Sequence, residues 1–261
     1  IRAGVVPGSE FHLTEYFAPV IGVMRVDTLQ EAIEAVNAVD YGLTSGIQTL
    51  DATELAIWLE GVQAGNLYVN RGITGAIVRR QPFGGWKRSA IGSTTKAGGP
   101  SYLLGLGEVE PARGQGGKVE QGTAALDPRV ANLCDAVSSQ LDAADLAELR
   151  RALVADAAAW RTAYGANRDV TGLACERNIL RYREVDVVVR AGQGTALADV
   201  VRVMAAGVRA GGFISLSVAD RLPQPLQNAL LAAGVQVAVE DQGAWDARLA
   251  ELAASGGLGT R

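Results

Sequence analysis

Strand-like and helix-like patterns alternate along most of this chain, and the alternation restricts the fold more than any other feature of the sequence. An apolar run at 20–26 precedes a helical pattern at 29–39. Further strand patterns at 45–50 and 66–70 flank a second helical pattern at 53–62. Regular alternation of strand and helix is typical of α/β layers, so we expect a parallel sheet in this region.

The alternation returns in the C-terminal half, after two helical patterns at 128–139 and 143–164. Strands are expected at 185–189, 213–216 and 235–239, and helices at 196–210, 225–233 and 245–254. A βαβαβα order of this kind predicts a second parallel sheet with right-handed crossovers. The chain is therefore expected to have an α/β fold in both halves.

Glycine-rich segments separate the two halves. Glycines interrupt any regular pattern between 71 and 100, and long ordered loops of this kind usually have a function. The stretch 113–122 (RGQGGKVEQG) is polar and glycine-rich, as linkers are. We therefore expect one domain at 1–112 and another at 123–261.

Composition and charge exclude several classes of function. The net charge of -4 gives no basic field for nucleic acid or an anionic membrane. No run approaches the about 18 apolar residues of a membrane span, and the first residues lack a signal-peptide pattern. Cys134 and Cys175 are isolated, which predicts neither a disulfide framework nor a zinc site. A reducing cytoplasm and a small-molecule or protein partner are expected.

Two short motifs give the clearest functional signal, at 14–20 (TEYFAPV) and at 81–85 (QPFGG). Together with 41–43 (YGL) and 64–70 (AGNLYVN), in the same order and at similar spacing, they resemble the aldehyde dehydrogenase superfamily. The resemblance covers about residues 1–107. It implies that this half is the C-terminal part of an aldehyde dehydrogenase catalytic domain.

The first motif is the one that the resemblance places over the cofactor, which is NAD. It implies that Glu15 holds the nicotinamide ribose hydroxyls and that Phe17 packs on the nicotinamide. These residue types suit the roles, because a carboxylate accepts two hydroxyl hydrogen bonds and an aromatic ring offers a flat apolar face. The alternative is a solvated Glu15 and a Phe17 in the core.

The segment 71–87 (RGITGAIVRRQPFGGWK) restricts the expected class of substrate, because it resembles the glutamate semialdehyde dehydrogenases of the superfamily. The resemblance implies that the backbone amides of Gly75 and Ala76 hold the substrate α-carboxylate and that Phe83 contacts its aliphatic part. Glycine lets the main chain approach an anion closely, and successive amides form an anion-binding concavity. The alternative is a structural turn at Gly75-Ala76 and a core Phe83.

Other polar residues near these motifs are weaker candidates. Arg79, Arg80 and Lys87 could pair with a substrate carboxylate, but surface charges are usually solvated and the resemblance assigns them no role. His12, the single histidine, has no serine, aspartate or metal-ligand partner at a useful spacing. We expect it to be structural, and no metal site is expected.

The resemblance also implies catalytic groups that this sequence does not contain. The superfamily's nucleophilic cysteine and general-base glutamate precede the Glu-x-Phe motif, so they are expected upstream of Ile1, together with most of the NAD-binding domain. We therefore expect a fragment that is inactive alone. Cys134 lies in a helical pattern among apolar residues, and Cys175 lacks neighbours that would activate a thiol, so neither is expected to substitute.

A second glycine motif lies in the C-terminal half. Gly192 and Gly194 match the first two glycines of a dinucleotide fingerprint, and Asp220 follows the next strand. The third small position holds Leu197 or Ala198, so a plain strand-to-helix turn without NAD is expected. The following helix is expected to bury Leu197, Val200, Val201 and Met204, and to leave Arg202 and Arg209 outside.

This half also resembles the C-terminal region of longer proline utilisation A proteins, through 173–182 (LACERNILRY) and 216–222. That implies a Rossmann-like domain with a structural role. It further implies a homo-oligomeric parent protein that oxidises L-glutamate γ-semialdehyde to L-glutamate with NAD in proline catabolism, with FAD confined to a separate proline dehydrogenase domain. The alternative is a non-catalytic capping or oligomerisation module.

Overall fold

The computed structural model describes residues 1–78, 80–90, 96–108 and 126–254. The described residues divide into two compact units. The first unit comprises 1–108 together with Val170–Asn178, and the second unit comprises 126–169 together with 179–254. The expected linker at 113–122 lies outside the described residues. The domain bounds 1–112 and 123–261 stay a prediction, but Val170–Asn178 lies in the first unit.

The first unit contains short strands and three α-helices. The helices are α1 (Glu10–Leu13), α2 (Leu29–Asn37) and α3 (Ala52–Gly61). The strands are β1 (Arg2–Ala3), β2 (Gly22–Val23), β3 (Tyr41–Gly42), β4 (Thr44–Ile47), β5 (Asn66–Val69) and β6 (Trp86–Lys87), and a 3-10 helix spans Tyr102–Leu106. The pair β4-β5 is parallel, as expected. Strand β2 pairs in parallel with β1, which was not predicted, and not with β4 or β5, and β3-β6 is antiparallel.

Capping side chains explain where α2 and α3 begin, and tight turns explain why the first predicted strand is shorter than expected. Thr28 and Glu31 form a reciprocal capping box that starts α2, and the Asp51 side chain caps α3. The strand expected at 20–26 is only Gly22–Val23. The N–H groups of Ala18 and Val20 bond to carbonyls two residues earlier, so the chain enters the run through tight turns.

The second unit contains the predicted parallel sheet. Its helices are α4 (Pro128–Asp135), α5 (Ala143–Ala159), α6 (Leu197–Ala210), α7 (Gln224–Ala232) and α8 (Gln242–Ala254), with a π-helical turn at Trp160–Tyr164. Its strands are β7 (Arg168–Asp169), β8 (Ile179–Leu180), β9 (Val187–Ala191), β10 (Ile214–Val218) and β11 (Gln236–Val239). Strands β9, β10 and β11 pair in parallel with β10 in the centre, which confirms the expected βαβαβα unit.

One face of this sheet forms the larger core of the chain. Ile214, Leu216 and Val218 of β10 are buried in one apolar cluster with residues of α4, α5, α6 and α7. In α6, Leu197 was expected to be buried but is only partly buried against this cluster. The other three predicted residues are buried, as expected: Val200, Val201 and Met204. Each such side chain contributes about 1.5–3 kcal/mol relative to exposure.

The prediction for the arginines of α6 is half right. Arg202 lies outside and pairs with Asp156 at 3.2 Å. Arg209 was expected outside but is half-buried, and its Nε and one Nη are buried without a hydrogen-bond partner among the described residues. A long side chain can run along apolar surface, so helical periodicity alone misplaced this residue.

The other face of β10 is polar, which the sequence patterns did not predict. Ser215 and Ser217 are buried there and accept hydrogen bonds from Arg248 and Arg190, each at 2.7 Å. Trp245 of α8 packs under the Arg190 guanidinium, 5.5 Å from the ring centroid. Helix α8 therefore covers this face of the sheet with charged and aromatic side chains.

Candidate substrate and cofactor site

The motif at 14–20, here called the cofactor strip, follows helix α1 directly. Thr14 is the C-terminal cap of α1, and residues 13–20 are exposed. Glu15 lies in this strip, and Phe17 is 94% exposed. Phe17 is therefore not part of the first unit's core, and its ring offers an open apolar face.

His12 ties the start of the strip to α2. Its Nδ1 accepts the Gly8 N–H at 2.9 Å, so the ring proton is on Nε2, which donates to the Ala35 carbonyl at 2.9 Å. Both ring nitrogens are used inside the protein. The expectation that His12 is structural is confirmed.

The predicted substrate loop runs between β5 and β6. Gly75 has φ +90, a left-handed conformation that favours glycine, and nothing lies within 4 Å of the place where a Cβ would be. Ala76 is exposed. Within the described part of the chain, neither Gly75 nor Ala76 donates a backbone hydrogen bond. Successive unused amides on an open loop are suited to an anion.

Phe83 lies at the end of the same loop and is 37% exposed. Its N–H donates to the Ala97 carbonyl at 3.0 Å, and the Ala97 N–H donates back at 2.8 Å. This pair of bonds fixes the backbone while the ring stays partly open. The structure therefore does not place Phe83 in the core.

Lys96 holds this part of the loop in place, and sequence reasoning missed it. Its Nζ donates to the carbonyls of Gly65 and Gly84, both at 2.7 Å, and to Asn66 Oδ1 at 3.1 Å. Burial lowers the pKa of Lys96 to about 8. No local sequence signal pairs a lysine with carbonyls on two other segments.

The basic residues beside the loop have partners inside the protein. Arg80 bonds to Glu176 through Nε at 2.6 Å, and Arg71 pairs with the same carboxylate at 3.3 Å. Lys87 donates to the carbonyl of Asn37, the last residue of α2, and to the Val39 carbonyl at 2.9 Å. Arg80 and Lys87 were expected to be solvated surface charges, and that is wrong because both have long-range protein partners. That they do not bind the substrate carboxylate stays a prediction. Arg79 lies outside the described residues.

Glu176 belongs to Val170–Asn178, which the sequence analysis placed in the other domain. Asn178 donates to Glu176 Oε1 at 3.0 Å, and this bond together with Arg80 holds the pKa of the Glu176 carboxyl below its usual value. The carboxylate is therefore charged at neutral pH and bound by both arginines.

The two thiols have different surroundings. Cys134 is buried in the core of the second unit, and burial raises the pKa of its thiol, so the expectation that it is a small apolar residue is confirmed. Cys175 is exposed. The described residues contain no cluster of acidic, histidine or cysteine side chains suited to a metal ion.

In the second unit, the glycine turn at 192–194 binds a carboxylate of the protein itself. Gly194 has φ +75, and its N–H donates to the Asp220 carboxylate at 3.4 Å. Thr195 donates to the Gly192 carbonyl at 2.9 Å. A dinucleotide phosphate would have to displace a negative side chain here, which favours the structural reading of this turn.

Comparison with known proteins identifies the class of the first unit. Residues 1–106 match the Aldehyde dehydrogenase family. The chain therefore contains an aldehyde dehydrogenase family domain segment, as its motifs indicated. No helix in the described ranges is long and apolar enough to cross a membrane.

Individual relatives have more specific names than the family as a whole. A 1-pyrroline-5-carboxylate dehydrogenase of Staphylococcus haemolyticus is 41% identical over 107 residues, 40% of this chain and 20% of that protein. The Bifunctional protein PutA of Rhizobium meliloti is 34% identical over 228 residues, 85% of this chain and 17% of that protein. The structure of Proline Utilization A from Corynebacterium freiburgense matches 91% of this chain and 24% of its own, at 37% identity and TM-score 0.68.

These matches differ in how much of the chain they cover. The dehydrogenase match is confined to 40% of the chain, whereas the two proline utilisation A proteins match 85% and 91% of it. The resemblance of the C-terminal half to proline utilisation A proteins is thus confirmed. The chain spans about a fifth of the length of the curated relatives.

Proposed function

We propose that the protein containing this chain is an NAD-dependent dehydrogenase that oxidises L-glutamate γ-semialdehyde to L-glutamate in proline catabolism. The family match and relatives named 1-pyrroline-5-carboxylate dehydrogenase and PutA support this. The observation that best supports the substrate is the open Gly75-Ala76 peptide, whose amides are unused within the described residues. Such amides suit the carboxylate of an amino acid.

The residues of this chain would bind and orient the reactants. NAD, when bound, supplies the hydride acceptor. Glu15 would accept hydrogen bonds from ribose hydroxyls, and the exposed Phe17 ring would cover one face of the nicotinamide and exclude water from it. Gly75 and Ala76 would hold the substrate carboxylate, while Phe83 packs on its carbon chain.

We propose neither cysteine of this chain as the nucleophile that the reaction needs. Cys134 is buried with a raised pKa, and no observation assigns Cys175 to the loop's open side. We place the nucleophilic cysteine and the general-base glutamate outside residues 1–261. We also propose that the second unit is a non-catalytic capping or oligomerisation domain of a homo-oligomer, and that FAD binds only a separate proline dehydrogenase domain.

The test of this function is NADH formation by the protein expressed from the complete gene. L-Glutamate γ-semialdehyde should be oxidised, and propionaldehyde, which has no carboxylate, should be a poor substrate. A protein that forms no NADH from the semialdehyde would contradict the proposed function. Residues 1–261 alone should be inactive, and activity that disappears in Cys175→Ser would contradict the placement of the nucleophile.

A further inference from the structure

A single carboxylate binds both ends of the predicted substrate loop. Glu176 Oε2 accepts from Arg71 at the start of the loop, and Oε1 accepts from Arg80 near its end. Charged hydrogen bonds of this kind are stronger than neutral ones. Since Asn178 also donates to Glu176 Oε1, the carboxylate is held by three side chains of the first unit.

Arg71 uses its remaining nitrogens inside the loop. Its Nε donates to the Gly72 carbonyl at 3.3 Å, and Nη2 donates to the Thr74 carbonyl at 3.4 Å. The carbonyls of Gly72 and Thr74 therefore point toward the arginine. Because Glu176 holds the Arg71 guanidinium in place, it also fixes the position of the donors to which these two carbonyls are bonded.

Gln81 extends the same arrangement to Gly75. The orientation of its amide that satisfies most partners donates from Nε2 to the Gly75 carbonyl and accepts from Arg71 Nη1 at 2.7 Å. The peptide bond is planar and trans, so the Gly75 carbonyl and the Ala76 N–H point in opposite directions. Holding the carbonyl on Gln81 therefore directs the Ala76 N–H away from the arginine cluster.

We propose that Glu176 is a positioning residue for the substrate: through Arg71, Arg80 and Gln81 it holds the Gly75-Ala76 peptide with its amide directed at the substrate carboxylate. This rests on the proposed function. It assigns to Val170–Asn178, a segment far along the chain from the loop, a direct part in substrate selection. Glu176 itself does not touch the substrate.

The test is Glu176→Gln in the protein from the complete gene, because the change keeps the shape of the side chain and removes its charge. With L-glutamate γ-semialdehyde, KM should rise about tenfold while kcat changes little, since only carboxylate binding is loosened. With propionaldehyde, kcat/KM should stay within about twofold, because that substrate has no carboxylate to bind.

Glu240→Gln is the matched control. Glu240 pairs with Arg248 in the second unit at 3.1 Å, with side chains 27% and 18% exposed, close to the 35% and 23% of Arg80 and Glu176. It should leave KM for both aldehydes unchanged. Gln81→Met, which removes the hydrogen bonds to Gly75 and Arg71 but keeps both ion pairs, should reproduce the rise in KM. In Glu176→Asp, which keeps the charge, KM should rise less than in Glu176→Gln.

Hydrogen exchange in the same protein gives a readout independent of turnover. The N–H groups of Arg80 and Gln81, which both donate to the Ile77 carbonyl of the loop, should exchange faster in Glu176→Gln and not in Glu240→Gln. Equal kinetic losses with both aldehydes, or unchanged KM and exchange, would overturn the positioning role. A wild-type protein inactive on the semialdehyde would instead overturn the proposed function, and the carboxylate assignment with it.

Discussion

Two glycine turns, one in each unit, have similar backbones and different partners. Gly75 and Gly194 both have positive φ, +90 and +75, and both have open space where a Cβ would be. At Gly194 the N–H already binds the Asp220 carboxylate. At Gly75-Ala76 no group among the described residues takes either N–H. The Gly194 turn is therefore bound to a carboxylate of the protein itself, whereas the Gly75-Ala76 turn is open to an external anion.

The difference shows that glycine spacing alone does not identify an anion site. Glycine makes the backbone conformation accessible, but the partner of the exposed amide decides whether a ligand can bind. If the free amides matter, substitutions at the Gly75-Ala76 loop should impair substrate use, and substitutions at the Gly194 turn should not.

The largest expected effect is that of Gly75→Val, because a β-branched residue is strained at this φ and would turn the peptide away from the carboxylate. Loss of two charge-assisted hydrogen bonds should lower kcat/KM for the semialdehyde at least about 100-fold. Gly194→Val imposes the same strain and should leave kcat/KM unchanged. Equal losses in both variants would remove the distinction between the turns.

Phe83→Ala should have the next largest effect, because it removes an apolar wall from the substrate loop. The lost contact corresponds to about 1–3 kcal/mol, so kcat/KM for the semialdehyde should fall roughly tenfold or more. The KM for NAD should not change. A normal kcat/KM would mean that Phe83 only supports the backbone pair with Ala97.

Glu15→Gln should act on the cofactor instead, since ribose hydroxyls prefer a charged acceptor. The loss of charge should raise the KM for NAD by about three- to tenfold, with little change in the KM for the semialdehyde. Normal NAD kinetics would contradict the assignment of Glu15 to the ribose.

The smallest expected effect concerns the second unit, where titration calorimetry of residues 123–261 with NAD should show no binding. Asp220 occupies the amide that a phosphate would need, and Leu197 stands near the third small position of a dinucleotide motif. Micromolar affinity that disappears in Gly194→Val would make this unit a second cofactor domain.

Sequence patterns predicted the elements well where they depend on local periodicity. The order from β9 to α8 follows from alternating apolar runs and amphipathic helices, and the start of α2 follows from the capping box of Thr28 and Glu31. The strand expected at 20–26 was too long, because an apolar run does not reveal the turns at Ala18 and Val20.

The candidate site was predictable only in its motif residues. Glu15, Phe17 and Phe83 come from the family resemblance, and their exposure is compatible with their proposed roles. Glu176 lies 105 positions from Arg71 along the chain, and Lys96 is 31 positions from Gly65. No periodicity or local motif connects residues at such separations, so their contacts required the fold.

The most direct test of the central claim is a crystal structure of the complete protein with L-glutamate bound. We expect the α-carboxylate on the N–H groups of Gly75 and Ala76, at about 2.7–2.9 Å, with the Phe83 ring against the carbon chain. Glutamate bound elsewhere, with these amides unused, would show that the Gly75-Ala76 loop is not the carboxylate site.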